Sequence, residues 1–149
     1  METFYRYLNL FPMPLWLAML LAPHHPATER ASRSSGLFAV AALHYLAALV
    51  TALRQGDGSR LPDFTTLEGL RQGLGTPGGA LAGWSHMLAL DLFTGAWIYR
   101  QARRLNAPAW VRVPSLLLTL MAGPLGLLLF LLWRWLAAGS GEALPGVRM

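Results

Sequence analysis

Two ionisable residues, His86 and Asp91, stand inside an otherwise apolar stretch, "GWSHMLALDLFTGAWIYR" (residues 83–100). An aspartate at the centre of a membrane-spanning helix costs roughly 2.5–3.5 kcal/mol, so such a group is paired, turned inward or in use. On a helix the two lie about 7.5 Å apart along the axis, so they meet only through a bridging water or substrate. A carboxyl group and an imidazole held at that spacing in an apolar setting suit acid/base work on a hydrophobic molecule.

Other polar residues can join them. On the same helix, Gly83, His86, Met87, Leu90, Asp91 and Thr94 share one arc, which is expected to face the bundle interior. His44 lies beside Tyr45 in the preceding apolar run, Asn9 in the first, and Thr119 with the pair Gly123–Pro124 in the last. The Gly-Pro pair should open its helix midway and expose carbonyls, and one small polar pocket at mid-depth would gather these groups. The competing reading has Asp91 paired with an arginine near a helix end, or with His86 or His44, simply fixing helix register. A haem held between His44 and His86 is a further alternative. His24 and His25 sit between prolines, where a solvated turn is expected rather than a metal site. No metal and no cofactor is expected.

The elements that must position these groups are four apolar segments, at about residues 4–22, 36–53, 80–99 and 111–136. Each approaches the roughly 20 residues that a helix needs to cross about 30 Å of hydrocarbon. The expected architecture is therefore all-α, a four-helix transmembrane bundle forming one integral membrane domain over residues 1–149. The first segment lacks a small-x-small cleavage site and contains Pro12, Pro14 and Trp16, so it reads as a retained helix, kinked or started late by its prolines. The connections at 23–35 and 100–110 are short and arginine-bearing, whereas 54–79 is long, glycine-rich and mixed in sign. The density of basic residues beside the helix ends places loops 23–35 and 100–110 in the cytoplasm.

Composition agrees with a lipid solvent. Of the 149 residues 54% are hydrophobic and only 13% are charged, about half the charged share of an ordinary soluble domain. The net charge of +5 comes from arginine alone. Those arginines sit at the ends of apolar runs and not on one water-facing surface, which argues against nucleic acid as a partner. With no cysteine, disulfides, thiolate metal sites and a thiol nucleophile are excluded. "GLGTPG" (residues 73–78) matches G-x-G-x-x-G, but no strand precedes it and an apolar helix follows, so its glycines serve turns and not a dinucleotide. The chain has no G-x-S-x-G, P-loop lysine or H-E-x-x-H.

Three stretches carry a resemblance. "NLFPMPLWLAMLLAP" (residues 9–23), "TLEGLRQGLGTPGGALAGWSHMLALDLFTGAWI" (66–98) and "VPSLLLTLMAGPLGLLLFLLWR" (113–134) resemble the neoxanthin-synthesis family of small integral membrane proteins, named in plants for abscisic acid deficiency, and its bacterial relatives. The resemblance covers most of the chain in order and is weakest in the second helix and the C-terminal tail. It implies an isomerase acting on a carotenoid or other apolar isoprenoid, in which an epoxide opens to an allene and a hydroxyl with no net redox change. His86 and Asp91 match the third-helix motif and become the implied base and acid. Trp84, Phe93 and Trp97 could pack against a polyene, and Asn9, His44, Thr94 and Gly123 are the further substrate-binding candidates. Without a transit peptide the chain resembles a short bacterial member, which implies the bacterial inner membrane, and its substrate need not be the plant one.

Two other readings stand beside the isomerase. A non-enzymatic membrane protein could bind pigment or support assembly of a membrane complex. A small transporter would need a second half, which a homo-oligomer could supply.

Overall fold

The computed structural model describes residues 2–55 and 63–139. Among these residues the chain is all-α, with eight helices: α1 (Glu2–Leu10), α2 (Met13–Leu21), α3 (Pro26–Ser32), α4 (Ser35–Gln55), α5 (Leu67–Leu74), α6 (Pro77–Arg104), α7 (Ala109–Ala122) and α8 (Pro124–Gly139). Three of them, α3, α6 and α8, begin on a proline, whose fixed φ suits a first helical position that needs no N–H. Asn106, at φ 49°, ends α6 in a left-handed turn in which the Ala107 N–H reaches back to the Ala102 carbonyl at 2.8 Å.

The expected boundaries shift in three places. The first segment is two helices, divided at Phe11–Pro12, as its prolines suggested. The third is longer than 80–99, running unbroken over 28 residues. The fourth, expected as one helix over 111–136, is two helices divided at Gly123. The loops hold structure as well, α3 in the 23–35 connection and α5 in the long one, of which residues 56–62 lie outside the described part.

The chain divides into two compact units, Met1–Pro12 with Ser35–Leu90, and Met13–Ser34 with Asp91–Met149. In the first, Leu8 of α1, Ala48 of α4, and Leu81 and Ala82 of α6 form a buried core, against which Phe4, Ala52 and Leu88 pack. The alanines let the helix backbones approach closely. Thr66 caps α5, its hydroxyl accepting from the Gly69 N–H at 3.1 Å, and Thr76 does the same for the Gly79 N–H at 3.0 Å. In the "GLGTPG" turn joining α5 to α6 a Cβ on Gly75 would strike the Arg71 carbonyl, and just after it a Cβ on Gly79 would collide with the Gly73 carbonyl. Helix α4, from Ser35 to Arg54, is long and apolar enough to cross a membrane, and it leaves Val40, Leu43, Leu46 and Leu53 exposed.

In the second unit, Trp16, Met19, Leu92, Ile98, Tyr99, Leu116 and Phe130 are buried, and α2 packs on α3 and α7. Gly95 lies beneath the Trp16 ring, where a Cβ would strike the indole. The chain turns back on itself between α7 and α8. A Cβ on Gly126 would strike the Ser115 carbonyl and the Thr119 N–H and hydroxyl, groups seven and eleven residues earlier that a continuing helix would carry far away. The direction of α8 follows from two contacts with α6: Gly123 lies against Asp91, while Phe130 meets Trp97 with ring centroids 5.9 Å apart. Helix α8 therefore runs alongside α6 in the same sense, and α7 opposes both. At 1.5 Å per residue each arm of this hairpin is only about 21–24 Å long, short of a full bilayer crossing.

Candidate functional site

The candidate residues fall into both units, and each group has its own geometry. In the first unit Asn9 and Trp84 meet: the indole Nε1–H donates to Asn9 Oδ1 at 3.1 Å, and Asn9 Nδ2 donates to the Tyr5 carbonyl at 2.8 Å. Asn9 thereby ties α1 to α6 across 75 residues of sequence, and its amide is spent on that tie. His44 is half-buried among three aromatic rings, Phe11 at 4.8 Å, Tyr7 at 5.1 Å and Phe4 at 6.5 Å, all edge-on. His86 is exposed and meets the Tyr45 ring at 5.2 Å, also edge-on. Tyr45 is the neighbour of His44 in sequence, yet on a helix consecutive residues point about 100° apart, and it is Tyr45 that reaches His86.

In the second unit Asp91 is half-buried, with its carboxylate against Gly123 at the point where α7 ends and α8 begins. It makes no hydrogen bond and no ion pair among the described residues, so the pairing with arginine or histidine that competes with a chemical role is absent there. The first N–H groups of α8 lie at the same break, and a helix N-terminus favours negative charge. Thr94 is half-buried one turn on, Trp97 packs edge-on against Phe130, and Gly123 is buried. Thr119 donates its hydroxyl to the Ser115 carbonyl one turn earlier on α7 at 2.7 Å, so it offers no free donor.

The expected orientation of α6 needs correction. Gly78, Ala82, Ser85, Leu92, Gly95, Ala96 and Tyr99 form its buried face, while His86, Met87, Leu90 and Phe93 are exposed and Asp91 sits at the rim between them. The physical reason is close packing: helices approach along their smallest side chains, and on α6 these are Gly, Ala and Ser, not the arc that carries His86. The signal lies in the helical spacing of Ala82, Ser85, Leu92 and Ala96, small or apolar residues on one face.

The histidines of the first connection also have structural work. His25 Nδ1 accepts the Ala27 N–H at 3.2 Å and so caps α3, while His24 Nδ1 meets Arg103. Among the described residues no three of His, Asp, Glu or Cys come together as a metal site.

These features define a class: a helical protein with broken apolar helices, a reversal hairpin, and an unpaired carboxylate at its tip. The sequence profile described as ABA4-like, ABA DEFICIENT 4-like, matches residues 3–130, and the chain belongs to that family. No curated protein and no solved structure matches it.

Proposed function

We propose that this family member is a multi-pass integral membrane protein, of the bacterial inner membrane, that isomerises a carotenoid or other apolar isoprenoid by acid/base chemistry. The membrane reading is supported by α4 and by the many large apolar side chains left exposed, among them Leu17, Leu43, Leu90, Leu128 and Leu132. In this reading four parts of the chain lie in the membrane, the fourth being the α7–α8 hairpin. Loops 23–35 and 100–110 lie on the cytoplasmic side, where their arginines belong.

The observation that carries the chemistry is Asp91, the single acid of α6, which lies at the Gly123 break without a hydrogen-bonded or ionic partner among the described residues. His86 is its companion on the same helix. It stands on the exposed arc with Met87 and Leu90, where a molecule dissolved in lipid would arrive from the side. In the opening of an epoxide to an allene, Asp91 gives its proton to the epoxide oxygen and the C–O bond breaks. His86 takes a proton from the neighbouring chain carbon, and the electron pair of that C–H bond becomes the new double bond. Return of the proton from His86 to Asp91 resets the site, and the product has the mass of the substrate.

The test is a comparison of pigment and lipid extracts, by chromatography and mass spectrometry, from a carotenoid-producing host expressing wild type, Asp91→Asn or His86→Ala, all shown to insert equally. A same-mass isomer made by wild type alone supports the reading. Identical extracts from all three remove it for the substrates present.

A second reading draws on the aromatic neighbours of His44 and His86, which suit packing as well as chemistry. In it the protein binds pigment or supports assembly of a membrane complex. His86→Ala then lowers the amount of co-purified pigment or partner, and no isomer forms with any variant.

A further inference from the structure

Away from Asp91, the end of the second unit where α6 finishes gathers charge of one sign. A cavity of about 150 Å³ is lined by Glu29, Arg33, Tyr99, Arg100, Arg103 and Arg104, four guanidinium groups against one carboxylate. That carboxylate is already engaged, since Arg33 Nη2 lies 2.8 Å from Glu29 Oε1. Two of the other arginines are held by the α2–α3 region: Arg100 donates to the Ser32 carbonyl and Arg103 meets the His24 ring, while the Tyr99 hydroxyl beside them donates to the Pro23 carbonyl at 2.7 Å.

Holding these groups leaves their charge uncompensated. The Nε atoms of Arg103 and of nearby Arg112, which acts electrostatically on Tyr99, are buried and have no hydrogen-bond partner. Arg100 is held below the ordinary arginine value, first by burial and then by the like charge of Arg33. Buried donors without acceptors are costly, and charged ones more so. A fold that converges four guanidinium groups on a cavity and, among the described residues, supplies it with one acid that is already paired is complete only when an anion enters.

We propose that this cavity is a phosphate-group site, filled by the headgroup of an anionic lipid or by the phosphate of a water-soluble molecule. Guanidinium groups match the oxygens of a phosphate through paired N–H donors, which a chloride ion cannot satisfy. The position also fits, because basic pockets between helices at the cytoplasmic ends of membrane proteins take up lipid phosphates. The site is independent of the proposed isomerase chemistry, since Asp91 stands nine residues from Arg100, about 13.5 Å along the axis of α6.

The experiment uses the full chain in detergent and in nanodiscs, as wild type, as the double variant Arg33→Gln/Arg104→Gln, and as the control Arg6→Gln. Arg33, Arg104 and Arg6 are all exposed, so their replacement leaves the fold in place, which size-exclusion chromatography verifies. Inorganic phosphate should raise the melting temperature of wild type saturably, where chloride at matched ionic strength does not. The double variant should need at least about tenfold more phosphate, and Arg6→Gln none. Native mass spectrometry then separates the two sources. Phosphatidylglycerol retained over phosphatidylcholine, and displaced by phosphate, identifies a headgroup; a phosphate adduct without retained lipid identifies a soluble ligand. The proposal is overturned if wild type responds equally to phosphate and chloride and prefers neither lipid, or if the double variant behaves as wild type does.

Discussion

Within the second unit, one helix carries two kinds of ionisable group and treats them in opposite ways. At its end Arg100 and Arg103 are clamped by the Ser32 carbonyl and His24, in a group with more positive charge than its one acid can answer. Nine residues earlier stands Asp91, a carboxyl group that takes no partner among the described residues. Every other described carboxylate is engaged. Glu2, Glu29 and Glu68 pair with Arg6, Arg33 and Arg71, and Asp63 accepts from Thr65. Each of those partners lies two to four residues away in sequence. Three and four residues from Asp91 stand Met87, Leu88, Thr94 and Gly95, so its own stretch of helix offers no cation, and the hairpin brings it the Gly123 break instead.

The contrast fails outright if α8 does not return toward the arginine end, so topology gives the largest effect. The chain has no cysteine, so single cysteines can be read with a membrane-impermeant maleimide. Leu136→Cys and Asn106→Cys should label from the same side of the membrane. Labelling from opposite sides would mean that α7 and α8 cross as one span and that Asp91 has other neighbours.

Next in size is the hairpin's packing. Gly126→Ala drives a methyl group into the Ser115 carbonyl and the Thr119 backbone, which must separate the helices at a cost of about 1–3 kcal/mol in a thermal melt. Gly123→Ala meets the carboxylate of Asp91, the movable end of a side chain, but it also puts a Cβ on a residue at φ 17°, ψ −79°, so Gly126→Ala is the cleaner test of the hairpin. No loss with Gly126→Ala would show that the two arms do not touch.

Arg100→Gln removes the bond to the Ser32 carbonyl but also a charge that Arg33 repels, so a loss of about 1 kcal/mol is expected from melting curves. Asp91→Asn sharpens the other side of the comparison. A buried acid in an ion pair would cost about 3–5 kcal/mol to neutralise, whereas an unpaired one should change stability by no more than about 0.5 kcal/mol while product formation is lost.

The smallest effect belongs to a fully partnered acid outside the apolar segments. The Thr65 hydroxyl and N–H hold the Asp63 carboxyl below the ordinary aspartate range. Because the folded form favours the charged state, this contribution is present above the unfolded value and is lost as pH falls through the folded one. The protection of α5 amides, measured relative to their intrinsic exchange at each pH, should therefore fall slightly on strong acidification, and Thr65→Ala should remove that dependence.

The sequence by itself determined the helical class, the apolar segments, the family, and the two ionisable groups worth asking about. Hydrophobic runs, prolines and a specific run of residues from Gly83 to Ile98 are local information, and they survive without knowing what touches what. It also marked the breaks at Pro12 and at Gly123–Pro124, since a missing N–H acts on its own helix. What only the tertiary structure decided was consequence. Whether Gly123–Pro124 kinks a spanning helix or reverses it depends on Gly126 finding Ser115 and Thr119. Which face of α6 is buried depends on its small residues finding Trp16 and its other neighbours, and not on the polarity of His86. The arginine cavity was legible only as loop charge, because convergence on a point is a property of α3 and α6 together and of no single stretch of the chain.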